Sequence, residues 1–214
     1  MKIRKEISAR GTLAGVDEVG RGPVAGPVAV GAFVFLDEKA KRFFRGAKES
    51  KQLTEIQREK WFAKIEEAKA DDRVNFSVNF QSEKIIDKRG LSWAIKKALN
   101  NSLSALKLNP QNTKVLLDGG LKAPIEYKDQ KTIIKGDEKE LVIALASICA
   151  KVLRDRKMIE LGHKHPKYGF EFHKGYGTRK HYEAIKEFGL LKEHRKSFLK
   201  FFNLKRTVSR ETAQ

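Results

Sequence analysis

The chain has 214 residues and carries 45 Lys and Arg against 27 Asp and Glu, a net charge of +18. With 40% hydrophobic residues it can bury one ordinary core, and its charge is the footprint of a protein that meets a polyanion, nucleic acid first. A single cysteine, Cys149, excludes an intrachain disulfide, the N-terminus lacks the apolar core of a signal peptide, and no apolar run reaches bilayer length. A monomer in a reducing, cytoplasmic setting, with no membrane partner, is expected.

Thr12 to Asp17 and Val28 to Leu36 are apolar, β-branched runs flanking a Gly/Pro-rich turn, which predicts adjacent antiparallel strands. Thr54 predicts the cap of a helix over Glu55 to Ala70. From Arg73 to Gln81, Val74, Phe76, Val78 and Phe80 alternate with polar residues, the period of a strand with one buried face. A helix over Leu91 to Leu106 and strands over Lys114 to Asp118 and Lys131 to Lys135 follow. The next helix is long, Glu138 to about Leu161, with Leu141, Leu145, Ile148, Val152 and Ile159 on one stripe and Ser147, Lys151 and Asp155 on a polar one beside it.

From His163 the chain turns to Gly, His, Tyr and basic residues around a shorter helix near Thr178 to Phe188. The expected organisation is an α/β domain over residues 1–162, a mostly helical nucleic-acid-binding subdomain over 163–205, and a polar, frayed end over 206–214. Residues 151–214 hold 17 basic side chains against 7 acidic ones, so much of the backbone contact with a nucleic acid is expected there.

Gly15-Val-Asp-Glu-Val-Gly-Arg-Gly22 sets two adjacent carboxylates at the end of an apolar strand and follows them with a glycine-flanked arginine. Side chains alternate faces along a regular strand, so the strand must end or bulge here for Asp17 and Glu18 to point one way, and Gly20 and Gly22 permit that turn. Two readings stand: a metal site beside a phosphate site, or a hairpin turn carrying solvated charges. Asp118, after Val115-Leu116-Leu117 and before Gly119-Gly120, reads as a carboxylate at the sheet's edge or as a turn residue. Asp137 reads as a helix N-cap, with Glu140 completing a capping box, and Asp155 as a paired structural carboxylate. Cys149 reads as a small hydrophobe, and His163, His165, His173, His181 and His194 lack zinc spacing and read as phosphate-facing or structural.

Six stretches in order resemble the motifs of type 2 ribonuclease H, ribonuclease HII: Asp17-Glu18-Val19-Gly20-Arg21-Gly22, Glu49-Ser50-Lys51-Gln52-Leu53, Leu117-Asp118-Gly119, Gly136-Asp137, Ala146 through Arg156, and His173-Lys174-Gly175-Tyr176-Gly177-Thr178. The match runs from about residue 12 to about residue 200. Val19 departs from the alanine more usual there, and Gly-Arg-Gly together with the short stretch before the first strand favours ribonuclease HII over ribonuclease HIII.

The resemblance implies a ribonuclease H-like α/β fold, a mixed five-stranded sheet flanked by helices, with four carboxylates converging on two divalent ions, Mg²⁺ or Mn²⁺. By resemblance Asp17, Glu18 and Asp118 carry over as catalytic metal ligands. The fourth is Asp137 or Asp155, and the family's Gly-Asp pair before the long helix selects Asp137. The loop Gly20-Arg21-Gly22 would contact a ribose 2′-hydroxyl and its neighbouring phosphate, and Tyr176 would pack against the sugar of the next deoxynucleotide; on the residues alone Tyr176 also reads as an interfacial core aromatic. Ser50 and Lys51 resemble the family's phosphate-contacting pair, with Ser147 and Lys151 as further phosphate contacts.

The residue types suit that chemistry. Hard cations take oxygen ligands, two of them can activate water and stabilise a leaving oxyanion, and crowded carboxylates without them repel one another. Only the 2′-hydroxyl separates RNA from DNA at one nucleotide. The implied activity is cleavage of the RNA strand of RNA/DNA hybrids, and 5′ of single ribonucleotides in duplex DNA, leaving 3′-hydroxyl and 5′-phosphate ends. The rival readings are a noncatalytic RNA/DNA-hybrid-binding protein and a ribonuclease HIII-like nuclease without single-ribonucleotide activity.

Overall fold

The computed structural model describes residues 11–47 and 53–200. Five strands form one sheet: β1 (Thr12–Val19), β2 (Val28–Phe35), β3 (Val74–Gln81), β4 (Thr113–Asp118) and β5 (Gln130–Ile133), in the order β3-β2-β1-β4-β5. The pairs β1–β2 and β2–β3 are antiparallel, while β1–β4 and β4–β5 are parallel, so the sheet is mixed as expected. Helix α1 (Glu55–Ala70) begins on Thr54, which accepts the Gln57 N–H while the Gln57 side chain accepts the Thr54 N–H, a complete capping box. Helices α2 (Glu83–Arg89) and α3 (Leu91–Ala105) meet at Gly90, whose φ of 86° lets one end and the next begin. Neither α2 nor the 3₁₀ turn over Glu38–Phe44 was expected, each being shorter than the window of about 11 residues over which helical periodicity is read.

Apolar packing divides along the two faces of the sheet. Val16, Val30, Val115 and Leu117 face α3, with Ala94, Ile95, Ala98 and Leu99. Phe33, Phe35 and Leu116 face α1 and the long helix, with Phe62, Ile65, Leu145 and Ile148. This alternation assigns every strand residue a side.

The predicted long helix is two. A single turn, α4 (Gly136–Lys139), is followed by Glu140 in extended conformation, and α5 (Leu141–Lys164) starts from there. Asp137 lies inside α4 and Glu140 makes no side-chain cap, so the capping box drawn from Asp137 and Glu140 does not exist. Leu145, Ile148 and Val152 are buried as predicted, yet α5 is buried on all sides from Val142 to Ala150, Ser147 and Cys149 included. The reason is close approach: a Cβ on Gly15 would stand 2.2 Å from the Val142 carbonyl carbon, and one on Gly31 would stand 2.4 Å from the Ala146 oxygen. Two glycines on neighbouring strands therefore let the helix lie directly on β1 and β2.

After α5 come α6 (Phe170–His173) and α7 (Arg179–Phe188), the latter starting on Thr178, which accepts the His181 N–H. A third apolar cluster joins Met158, Tyr168, Phe170, Ala184 and Ile185 to Val24 and Ala25, and α5 runs to Lys164, just past the boundary expected at 162. The segment that follows Gly20-Arg21-Gly22 is thus held by the C-terminal helices. Among the described residues no helix is long and apolar enough to cross a membrane. Cys149 is free and buried, and burial pushes its thiol up, which makes it the inert hydrophobe expected.

Candidate active site

Strand β1 ends just after the acidic pair, at Val19, and Gly20 turns the chain with a φ of 92°, so the expected end is present. There is no bulge: the register with β2 stays regular through Asp17–Gly31, Glu18–Val30 and Val19–Ala29. Asp17 and Glu18 leave the strand on opposite faces, and they share a site because both stand at its last residues, where the carboxylates can reach round the sheet's end. Asp17 turns one oxygen back onto the Glu18 N–H at 2.7 Å. On the other face Glu18 receives Arg21 Nη1 at 3.0 Å.

Parallel pairing brings the third carboxylate in. Val16 pairs with Leu117 across β1 and β4, so Asp17 and Asp118 are the next residues at the carboxyl ends of adjacent parallel strands, the edge where α/β sheets bind ligands. Asp118 Oδ1 accepts the Gly136 N–H at 2.6 Å, which fixes the first residue of α4 and with it Asp137, the fourth carboxylate. Asp17 and Asp137 are both buried.

Asp17 feels the charge of the other three carboxylates. Burial, followed by the charges of Glu18, Asp118 and Asp137, pushes the Asp17 carboxyl up to about 8, against a hydrogen bond from Ser147 that lowers it. Burial also raises Glu18, opposed by Arg21 and reinforced by Asp118. Among the described residues no three acidic, histidine or cysteine side chains have the spacing of a formed metal centre. Asp17 and Asp118 each give an oxygen to a backbone N–H. The donor set nevertheless fits a hard divalent ion: all four groups offer oxygen, and Glu18 Oε2 is buried without a hydrogen-bond partner.

Ser147 is 1% exposed and spends its hydroxyl on Asp17, so burial removes it from the phosphate-contacting surface where sequence placed it. Asp155 belongs to another group, with Lys151 Nζ at 2.8 Å and Arg58 Nη2 at 3.8 Å. It is a paired structural carboxylate, although its partners are Lys151 and Arg58 rather than the neighbouring arginines in sequence. Lys151 is therefore tied to Asp155, and burial lowers its pKa. Ser50 and Lys51 lie outside the described residues.

Tyr176 is 47% exposed, which rules out a core role, and its ring lies where a Cβ on Gly22 would touch it at 3.4 Å. The Gly-Arg-Gly loop and the tyrosine are therefore side by side. From Arg21 and Gly120 an open groove of about 1080 Å³ runs along α3 past Ser92, Lys96 and Lys122. Sequence reasoning missed Arg154 and Arg195, two fully buried arginines under the loop, because nothing distinguishes them from the basic surface residues around them.

The model of the family described as Ribonuclease HII matches residues 14–202. The chain belongs to the ribonuclease HII family. A ribonuclease HII of Bacillus mycoides (strain KBAB4) is 42% identical over 199 residues, which cover 92% of this chain and 73% of that one. The crystal structure of the ribonuclease H2 from Pyrococcus horikoshii OT3 superposes with a TM-score of 0.67 at 30% identity, covering 90% of this chain and 99% of that one. Archaeoglobus fulgidus ribonuclease HII, solved in complex with PCNA, gives 0.71 at 26% identity over 92% and 98%. The ribonuclease H-like fold and the ribonuclease HII resemblance expected from sequence are both borne out, and the chain is an endoribonuclease of the ribonuclease H type.

Proposed function

We propose that this ribonuclease hydrolyses the RNA strand of RNA/DNA hybrids and also cuts 5′ of single ribonucleotides in duplex DNA. The observation that carries the reading is the meeting of Asp17, Glu18, Asp118 and Asp137 at the sheet's end beside the Gly20-Arg21-Gly22 loop. Ribonuclease H enzymes use divalent metals, and two ions, Mg²⁺ or Mn²⁺, held by these four carboxylates would supply an activated water and charge stabilisation for the leaving oxygen. Water adds to phosphorus, the bond from phosphorus to the 3′-oxygen of the preceding nucleotide breaks, a deoxyribose oxygen where a single ribonucleotide lies in DNA, and a proton passes to that oxygen, giving 3′-hydroxyl and 5′-phosphate ends.

The chain's own groups do the rest. Ser147 orients Asp17 by its hydrogen bond, and Arg21 neutralises Glu18 while standing half-exposed toward substrate. Backbone N–H groups of Gly20, Arg21 and Gly22 suit a 2′-hydroxyl, and Tyr176 beside Gly22 suits the face of the next sugar, so together they read an RNA-to-DNA step. Lys151, Lys96 and Lys122 offer cations for phosphates. The protein works as a cytoplasmic monomer in this reading, with Ser50 and Lys51 as further phosphate contacts.

A labelled duplex with one ribonucleotide, incubated with Mg²⁺, Mn²⁺ or EDTA beside its all-DNA counterpart, tests the proposal. A metal-dependent nick 5′ of the ribonucleotide, absent from the control, is expected. Equal nicking of both duplexes would overturn it, and cleavage of long hybrids alone would favour the narrower, ribonuclease HIII-like reading.

A further inference from the structure

Arg154 and Arg195 head the fully buried side chains by volume, ahead of every phenylalanine. A buried cation is costly unless its donors are satisfied. Arg195 has no carboxylate within ion-pair reach among the described residues, and it satisfies its fork on backbone instead: Nη2 to the Gly20 oxygen at 2.7 Å, Nη1 to the Arg21 oxygen at 3.1 Å, and Nε to the Gly26 oxygen at 2.9 Å. Its own N–H donates to the Val24 oxygen at 2.7 Å. One residue of the C-terminal segment thus grips the acidic-pair loop and the chain that follows it at four points.

Peptide geometry turns that grip outward. Carbonyl and N–H of a trans peptide point in opposite directions, so a Gly20 oxygen drawn inward to Arg195 directs the Arg21 N–H outward, and the inward Arg21 oxygen does the same for the Gly22 N–H. Neighbouring His194 extends the arrangement: its Nε2 meets His181 Nε2 at 3.1 Å, and His181 Nδ1 reaches the Tyr176 oxygen at 2.8 Å. The dipeptide His194-Arg195 thus holds the Gly20-Arg21 backbone directly and is linked to the Tyr176 backbone through His181.

We infer that Arg195 is a positioning residue for ribose recognition: its buried guanidinium fixes the Gly20 and Arg21 carbonyls so that the Arg21 and Gly22 N–H groups are presented together to the 2′-hydroxyl. This rests on the reading of Gly20-Arg21-Gly22 as the ribose contact. Lysine cannot replace it, because one ammonium cannot span three carbonyls in a planar fork.

The test uses the full chain with Mg²⁺ and compares wild type, Arg195→Lys and Arg195→Ala on the one-ribonucleotide duplex, with affinity for the all-DNA duplex measured in parallel. Arg195→Lys, which keeps the charge and most of the packing, is expected to fold and to lose about ten- to a hundredfold in kcat, the cost of a small misplacement. All-DNA affinity is expected to stay unchanged. Added ethylguanidinium is expected to restore part of the Arg195→Ala activity and none in Arg195→Lys, whose side chain fills the space; a merely structural role predicts no such difference. Arg195→Lys with wild-type kcat and KM, in an enzyme that does discriminate ribose, would overturn the inference alone. A wild-type enzyme indifferent to the 2′-hydroxyl would overturn the reading of the loop and this inference together.

Discussion

Asp118 accepts the backbone N–H of Gly136 at 2.6 Å, and through this one bond the end of a central strand fixes the turn that carries Asp137. The relationship separates two aspartates that sequence alone left in competition. Asp137 adds its charge to Asp17, whereas Asp155 sits between Lys151 and Arg58.

The two aspartates should therefore fail differently. Asp137→Asn is expected to remove cleavage while leaving thermal stability near wild type. Asp155→Asn strands Lys151 beside Arg58 and is expected to cost about 3 kcal/mol in denaturant unfolding while cleavage persists at permissive temperature. Inactive, fully stable Asp155→Asn alongside active Asp137→Asn would reverse the assignment.

In the proposed mechanism, Asp17→Asn removes a metal ligand and a negative charge from a crowded, buried group. Cleavage is expected to vanish, and duplex binding to hold or strengthen, since one repulsion toward phosphate is gone. In EDTA the variant is expected to melt no lower than wild type, because the lost carboxylate was held against its own charge. Retained turnover would remove Asp17 from the mechanism.

Much of this was legible because it is local. All five strands, the capped helix α1 and the apolar stripe from Leu145 to Val152 follow from periodicity and capping, which act within a few residues. The alternation rule asked for an end or a bulge at Asp17 and Glu18; the strand ends just beyond them at Val19, and which of the two occurs was not legible, because it depends on β2 supplying matching residues as far as Ala29. Ser147 looked like a solvated helix residue, and only glycines at 15 and 31, far away in sequence, explain why that face is buried. Arg195 looked like one more surface cation, since its three carbonyl partners are more than 160 residues distant, beyond any local pattern.

Those glycines make a stability prediction. In Gly31→Ala the new methyl would stand 2.4 Å from the Ala146 oxygen, well inside contact distance, so α5 must retreat from β2. A loss of about 1–3 kcal/mol is expected from overpacking. Because the retreat would also draw Ser147 from Asp17, kcat should fall even below the melting transition; unaltered stability would mean that helix and sheet are less closely packed than the backbone indicates.

The buried imidazoles set an acid limit on the fold. The Leu191 N–H donates to His194 Nδ1, so Nε2 carries the His194 proton and donates to His181 Nε2, and His181 Nδ1 donates to the Tyr176 oxygen. Every nitrogen is used only if both rings are neutral, and burial, with His173 and His165 adding to the repulsion, lowers both from 6.5 to about 4. Between those values the unfolded chain binds more protons, so this contribution is complete above about pH 6.5 and is lost as pH falls toward 4. Asp17, raised to about 8, pulls the other way over the same range, so the comparison belongs in the Asp17→Asn background. There, denaturant unfolding at pH 7.5 and pH 5 should show a marked loss at the lower value that His194→Gln reduces. Identical slopes with and without His194 would show that these rings are not what acid attacks.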